Sequence, residues 1–572
     1  MISTFKKLIF ILNPSDRFRA LRLLFIMLIA VLLETLGISL ILPITSIMIE
    51  EDITQIHPLI TYIYTYFGSP TKVNLISFFI ILMIAIFLIK NLFLGFFYWK
   101  QFSFIADMTV NLGKKLLSKY LSLPYSEHTK KNSSIYIRNT TREVGHFNSL
   151  LYSSLTLVIE VLMLIFISLL LFIVEPVIFL FAILSILSTA YLLFYFTKNR
   201  TVQFGKDRLY HEGRRIYAVQ ETIGAIRDVV ITGKEQIFLN EFDFHNRNTA
   251  INERNYEFIK SLPKLFIEII AILIFAVIIY ASLNYTVLSS NLLPVLGLFA
   301  AAAIKLMPST NRIIASFQAI KYNNATVNTL NDELRFEVKT EEQIESSKVI
   351  TFNTSLKLKN LSFGYDSSRH VLENINLEIN QGKIIGLIGE SGSGKSTLID
   401  LIVGFIKPLE GEIMIDNVNI HSNLREWQNK IGYVSQNVFI LDDTLKNNIV
   451  FGEKDDEINF GLLENAIAQA QLSDFVSSLA EGVDTNVGER GAKISGGQRQ
   501  RIAIARALYS NPSFLIFDES TNALDMETES QIMNVIHKLR GKKTTLIVSH
   551  RLSTIENCDI VLKLVEGKLQ RV

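Results

Sequence analysis

A chain of 572 residues exceeds one ordinary domain, so at least two are expected. Hydrophobic residues make up 49% of it, including 39 Phe, and 56 basic against 54 acidic residues leave a net charge of +2. That near-balance excludes a partner held by bulk positive charge, so no nucleic acid is expected, and the single cysteine, Cys558, excludes an intrachain disulfide framework and suits a cytosolic setting for the soluble part.

The apolar residues gather in the first 320 positions. Six stretches, near 19–49, 73–104, 149–173, 176–197, 258–283 and 290–320, are each long enough to cross a ~30 Å hydrocarbon core as a helix of about 20 residues. Several exceed that length and are expected to tilt or to project beyond the bilayer. The first is too long for a signal-peptide core and lacks a small-residue cleavage site, so it is expected to remain a span. Two long polar segments, 105–148 and 198–257, carry mixed charge with helical periodicity. Lysine and arginine concentrate in the N-terminal flank (Lys6, Lys7, Arg17, Arg19, Arg22) and in these segments, whereas the loops around Glu50-Glu51-Asp52, Val174-Glu175-Pro176 and 283–291 are poor in them. The positive-inside tendency predicts six spans with both termini and both polar segments in the cytoplasm. Between the first two spans, Pro58, Leu59, Ile60, Ile63, Tyr64 and Phe67 share a helical face, which predicts a short interfacial helix on the outer leaflet.

An ionisable group at mid-bilayer costs about 2.5–3.5 kcal/mol on insertion scales, so those within spans are functional candidates. Lys90 lies in the second stretch, Lys264 in the fifth, and Lys305 and Arg312, seven apart and on one face, in the sixth. Set against one well-buried acid, Glu34, they predict an unbalanced positive lining able to hold an anion. Snorkelling to an interface or pairing with Glu34 is the alternative, strongest for Lys264 near a span end.

From Asn331 to Lys348 the chain turns polar and acidic, which marks a boundary between a membrane domain (1–330), a linker (331–350) and a soluble domain (351–572). Leu356-Lys357-Leu358-Lys359-Asn360-Leu361 alternates as an antiparallel edge strand would. Then an apolar run, Ile384 to Ile388, leads into Gly389-Glu390-Ser391-Gly392-Ser393-Gly394-Lys395-Ser396-Thr397 and a helical pattern. Strand, glycine-rich loop and helix form a P-loop: successive backbone N–H groups and the helix N-terminus cradle phosphate, Lys395 reaches the β- and γ-phosphates, and the Ser396 hydroxyl ligates Mg²⁺. A nucleotide site is therefore expected. Phe514-Leu515-Ile516-Phe517-Asp518-Glu519 reads as a buried parallel strand ending in two acids, Asp518 to hold Mg²⁺ and Glu519 to orient or deprotonate the attacking water. A further apolar strand, Thr545-Leu546-Ile547-Val548, ends at Ser549-His550.

Ile494-Ser495-Gly496-Gly497-Gln498-Arg499-Gln500 resembles the signature motif of ABC-transporter ATPases, with Ile in place of the usual Leu. With the P-loop, Tyr365, Gln436 in Val434-Ser435-Gln436, the acids at 518–519, Ala523-Leu524-Asp525 and His550, the resemblance covers all of 350–572. It implies an α/β P-loop ABC ATPase behind an α-helical membrane domain of the exporter type. It also implies that Tyr365 stacks on adenine, that Gln436 senses Mg²⁺ and the membrane domain, and that His550 contacts the γ-phosphate. Ser495, Gly496, Gly497 and Gln498 would bind the ATP of a second subunit, so a homodimer with two hydrolysing sites is implied. Val487-Gly488-Glu489-Arg490-Gly491 is similar to the exporter loop that touches the membrane domain, and coupling helices are implied near Pro124–Ser134 and Glu221–Asp228.

Leu306-Met307-Pro308-Ser309-Thr310-Asn311-Arg312-Ile313-Ile314, the short external helix and the in-membrane cations are similar to bacterial PglK-type flippases of lipid-linked oligosaccharides. The similarity implies an inner-membrane protein moving a polyprenyl-pyrophosphate glycan outward, its pyrophosphate meeting Lys90, Lys264, Lys305 and Arg312. An exporter of a peptide, drug or glycolipid is the runner-up. A non-transporting ABC ATPase is disfavoured by the six spans and the 487–491 loop.

Overall fold

Apolar runs with capping residues at their starts become long helices. The computed structural model describes residues 2–49, 58–66, 68, 70–174, 176–284, 292–336, 349–365, 370–519, 526–549, 551 and 555–572. It divides into one unit of Met1–Leu123 with His128–Val338 and a second of Pro124–Glu127 with Lys339–Val572. Among the described residues the helices up to the boundary are α1 (Ile2–Ile11), α2 (Pro14–Ser39), α3 (Ile41–Ile49), α4 (Pro58–Tyr66), α5 (Lys72–Leu121), α6 (Tyr125–Lys130), α7 (Ser133–Arg138), α8 (Val144–Val174), α9 (Pro176–Gly224), α10 (Ile226–Thr232), α11 (Glu235–Asn284), α12 (Leu292–Tyr322) and α13 (Asn324–Arg335). Pro14 and Pro176 sit in first turns, where a missing N–H costs nothing, and Thr71 caps α5 by accepting the Asn74 N–H. A π-turn, Asn139–Glu143, joins α7 to α8.

All six predicted stretches fall on long helices: 19–49 on α2 and α3, 73–104 on α5, 149–173 on α8, 176–197 on α9, 258–283 on α11 and the described part of 290–320 on α12. Among the described residues, four runs (Pro14–Met48, Lys72–Leu121, Ser133–Val174, Phe179–Gly224) are long and apolar enough to cross a membrane by length and composition. The apolar parts of α11 and α12 carry Lys264 and Glu268, and Lys305 and Arg312. At 49 to 50 residues, α5, α9 and α11 measure about 75 Å, so the polar segments are largely helical extensions of the spans. Where α9 passes α12 only glycine fits, since a Cβ on Gly205 would lie 2.0 Å from the Tyr322 carbonyl oxygen. The expected short helix is α4; it seats Ile63 and Tyr64 against Ile47, Leu75 and Phe79 and exposes Tyr62 and Tyr66. Phe67 lies outside the described residues.

Residues 331–335 of the predicted linker complete α13, and 337–348 lie outside the described residues. Beyond them the strands are β1 (Ser355–Phe363), β2 (Leu372–Asn380), β3 (Ile384–Gly389), β4 (Glu410–Ile415), β5 (Val418–Asn419), β6 (Ile431–Val434), β7 (Phe514–Asp518), β8 (Thr544–Val548), β9 (Ile560–Val565) and β10 (Lys568–Arg571). The helices are α14 (Lys395–Val403), α15 (Leu424–Gln428), α16 (Leu445–Val450), α17 (Phe460–Gln469), α18 (Ser473–Ser478), α19 (Gly496–Tyr509) and α20 (Met526–Lys538). One sheet, ordered β2-β1-β4-β5, is antiparallel; the other, β10-β9-β3-β8-β7-β6, is parallel except for its β10–β9 edge. β1 is thus antiparallel as expected but not an edge: Leu356 pairs with Ile379 on one side and Ile415 on the other. The alternating pattern reported a half-solvated face, which an interior antiparallel strand also has. Trp427 fills the core of this unit, beside Phe352 and Phe514, its indole N–H donating to Ile402 O at 2.7 Å.

Candidate nucleotide site and membrane cavity

Parallel strands bring distant motifs to one sheet edge. The P-loop follows β3, Gln436 lies two residues past β6, Asp518 ends β7 with Glu519 next, and β8 leads to Ser549. All are carboxyl ends of adjacent strands, where open α/β sheets collect ligands. His550 and Ala523-Leu524-Asp525 lie outside the described residues.

The P-loop backbone needs its glycines. Gly392 and Gly394 have φ of 81° and 104°, and a Cβ on Gly389 would stand 2.7 Å from both Leu564 O and Ser393 Oγ. Lys395 opens α14 and donates to the carbonyls of Gly389 (2.8 Å) and Glu390 (2.9 Å), while Ser391 and Ser396 are exposed at the loop. The buried Ser393 hydroxyl has no hydrogen-bond partner among the described residues. An ammonium on the loop's own carbonyls and an orphaned hydroxyl are what a phosphate-accepting loop contains, so nucleotide fits this donor set. The Tyr365 ring is exposed, and its hydroxyl lies 3.3 Å from Thr397 Oγ1.

Across the sheet edge, Gln436 Nε2 donates to Glu519 Oε2 at 2.9 Å and the Tyr433 hydroxyl to Asp518 Oδ2 at 3.1 Å. Burial lifts the Asp518 carboxyl above its ordinary value; Tyr433 pulls it down and the Glu519 charge lifts it further. Two acids side by side, one of them raised, suit a cation, and Asp518, Ser396 and Gln436 have the oxygen chemistry that would hold Mg²⁺. Tyr433 escaped the sequence reading, although it stands three residues before Gln436, on β6 beside β7. Asp400 on α14 escaped it too. Burial first, then the Asp518 charge, pushes the Asp400 pKa up to about 6. Folding therefore favours its protonated form, a contribution full below the unfolded value near 4 and lost as pH rises through about 6. Asp400→Asn is expected to stabilise the nucleotide-free protein at about pH 8 by ~1 kcal/mol after solvent screening, or about 2–4 °C in melting temperature, the gain vanishing towards about pH 4. A gain that is flat with pH would contradict the assignment.

The signature segment forms a helix start. Ser495 N-caps α19 through a capping box: its hydroxyl accepts the Gln498 N–H (3.2 Å), and its own N–H donates to Gln498 Oε1 (2.8 Å). Gly496 and Gly497 lie in the first turn, where backbone N–H groups face outward for an anion. The exporter-like loop 487–491 turns through Arg490 at φ 52°. The two segments implied to be coupling helices contain short helices, α6 with α7, and α10 after the break at Ala225. Pro124–Glu127 groups with the second unit, where the Tyr125 and Phe405 rings lie 4.7 Å apart.

In the membrane unit the expectation of an unbalanced positive lining is corrected. Lys90 and Lys305 both reach Glu34, at 3.0 and 2.7 Å, and Arg312 pairs with Glu160, whose Oε2 also accepts the Ser309 hydroxyl at 2.6 Å. Glu160 and Glu268 were overlooked because each sits singly in a long apolar run, yet both are plain in the sequence. Lys264 is exposed, with no ion pair among the described residues. The four cations do not converge: only Arg312 lines the cavity of about 860 Å³ between α5, α8, α11 and α12, with Phe102, Tyr152, Tyr256, Lys260 and Tyr322 among its walls.

Two family models match the chain: "ABC transporter transmembrane region" over residues 21–304 and "ABC transporter" over 372–522. An ATP-dependent lipid A-core flippase of Cupriavidus pinatubonensis is 42% identical over 217 residues, 37% of this chain and 37% of that protein. The leukotoxin export ATP-binding protein LtxB of Aggregatibacter actinomycetemcomitans is 43% identical over 236 residues, 40% of this chain and 32% of that one. The matched segments thus span about a third of the relatives' lengths. A solved bacterial Atm1-family ABC exporter with ATP bound superposes with a TM-score of 0.80 at 22% identity, covering 98% of this chain and 95% of the other. With a transmembrane region leading into an ABC ATPase domain, in the exporter fold from end to end, the chain belongs to the ABC transporters.

Proposed function

We propose that the protein is an ATP-driven transporter that flips a lipid-linked oligosaccharide, a polyprenyl-pyrophosphate glycan, from the cytoplasmic to the outer leaflet of the bacterial inner membrane. The observation that carries this reading is Arg312, a cation in the wall of an 860 Å³ cavity inside the membrane unit, braced by Glu160 and Ser309. The polar side chains in its wall, such as Asn148, Glu253 and Lys260, suit a glycan, the guanidinium a pyrophosphate, and the tail stays in lipid. Lys90 and Lys305, sharing Glu34, form a net positive cluster that supports anion attraction at longer range, and Lys264 is assigned to the same role.

The engine is a homodimer in which the P-loop of one subunit and the Ser495–Gln498 helix start of the other clamp ATP. Lys395 and the loop N–H groups bind phosphate, Tyr365 packs on adenine, and His550 reaches the γ-phosphate. Ser396, Gln436 and Asp518 would hold Mg²⁺, which would supply neutralisation of the phosphate charge. Glu519 takes the proton of the attacking water, held towards it by Gln436. Clamping and release supply the two states that alternating access requires. Both termini and the helical extensions lie in the cytoplasm on this reading.

Export of another amphipathic substrate, such as a glycolipid, is the second reading, favoured by the identity to lipid A-core flippases. Proteoliposomes loaded with labelled lipid-linked glycan or with lipid A-core separate the two: ATP-dependent movement of the glycan alone supports the first, of the glycolipid alone the second. Arg312→Ala is expected to cut glycan flipping at least about tenfold while basal ATP hydrolysis stays within about twofold. Equal loss of both would refute a substrate role.

A further inference from the structure

The apolar runs of α2 and α5 end at one level. On α2 the run begins at Leu23, directly after Arg22; on α5 it closes with Tyr98-Trp99-Lys100. The pairs Arg19–Asp107 (3.1 Å) and Glu34–Lys90 (3.0 Å) fix the two helices as antiparallel, so these ends meet. A cavity of about 310 Å³ opens there, lined by Arg19, Arg22, Lys100, Ser103, Phe104 and Asp107 among others. Asp107 is engaged by Arg19, and among the described residues Arg22 and Lys100 have no carboxylate within salt-bridge distance. Each instead lies over an aromatic ring, Arg22 at 5.1 Å from Phe18 and Lys100 at 4.8 Å from Trp99. Phe18 and Trp99 are themselves 62% and 64% exposed, and Leu21 and Phe25 on α2 are exposed as well.

Basic side chains over tryptophan and phenylalanine at the end of an apolar run mark the depth of lipid headgroups. A second cavity of about 380 Å³ shares Arg19 and adds Lys114, Lys115 and Asp16, so positive charge continues past the rim. We propose that the Arg19–Arg22–Lys100 cavity binds the phosphate of an anionic phospholipid, its acyl chains lying along the exposed apolar faces of α2 and α5. The site is separate from the Arg312 cavity, with which it shares no lining residue, and it does not depend on the identity of the transported substrate. Arginine forks suit the phosphate, and three cations against one acid select a lipid of net negative charge over a zwitterionic one.

Native mass spectrometry of the full-length protein, titrated with phosphatidylglycerol or phosphatidylcholine, tests this. Wild type is expected to retain phosphatidylglycerol preferentially and less so at raised salt. Arg22→Gln/Lys100→Gln, which keeps the Arg19–Asp107 pair and so the helix contact, is expected to weaken retention about fivefold per charge removed. Lys454→Gln/Lys542→Gln, removing the same charge from the soluble unit, is expected to leave it unchanged. Equal retention of both lipids, no change in the first variant, or the same change in the second would overturn the proposal. Displacement of phosphatidylglycerol by submillimolar inorganic pyrophosphate would overturn it too, assigning the site to free phosphate.

Discussion

Glu519→Gln is expected to slow ATP turnover by about 10²–10⁴-fold while nucleotide still binds. The side chain keeps its size and loses its basicity, so the change isolates proton abstraction from packing. Position is fixed from two directions. The Glu519 N–H donates to Val548 O at 3.0 Å, holding the residue at φ 47° just past β7, and Gln436 from the end of β6 donates to the carboxylate at 2.9 Å. A non-glycine residue in the left-handed region costs about 1–3 kcal/mol and persists where the surroundings impose it. Gln436→Ala removes one neutral donor to a charged acceptor and is expected to cost less, roughly tenfold. Phosphate release at saturating ATP together with fluorescent-nucleotide binding provides the measurement. A glutamine variant retaining more than about a tenth of turnover would exclude Glu519 as the base.

What the sequence made legible is what local chemistry dictates. The P-loop and the strand ending at Asp518 follow from glycine conformations and apolar runs over a few residues, and each is where the pattern placed it. The long apolar helices were equally plain, since runs of about 20 apolar residues leave few alternatives. Relations between distant residues were harder. The edge assignment of β1 failed because a second partner strand leaves no mark in alternation. The positive lining failed because lone acids such as Glu160 become visible as partners only once α8 and α12 are packed together. Tyr433 and Asp400 gain meaning only from the sheet that brings them to Asp518.

Arg208→Met is expected to destabilise the membrane unit by about 3–5 kcal/mol. Arg208 is fully buried on α9, its guanidinium 3.5 Å from carboxylate oxygens of Glu143 and Glu212, donating to Thr326 Oγ1 at 2.9 Å and lying 5.4 Å from the Tyr322 ring. Thr326 in turn donates to Glu143 at 2.6 Å. The knot ties the π-turn before α8 to α9, α12 and α13, and removing its one fully buried cation strands Glu143, whose other oxygen already lacks a partner. Glu212 is less affected, because Arg142, Arg215 and His146 stand within 3.7, 3.8 and 3.4 Å of it. The damage should therefore come from one stranded carboxylate rather than from lost attraction. Arg208→Met/Glu143→Leu, which removes that carboxylate too, is then expected to recover more than half of the loss, since an apolar substitute for a buried ion pair is often neutral. Thermal melts of wild type and both variants in one detergent decide it. If the double variant melts no higher than the single one, the stability lies in packing around Arg208 and not in the pairing of its charge.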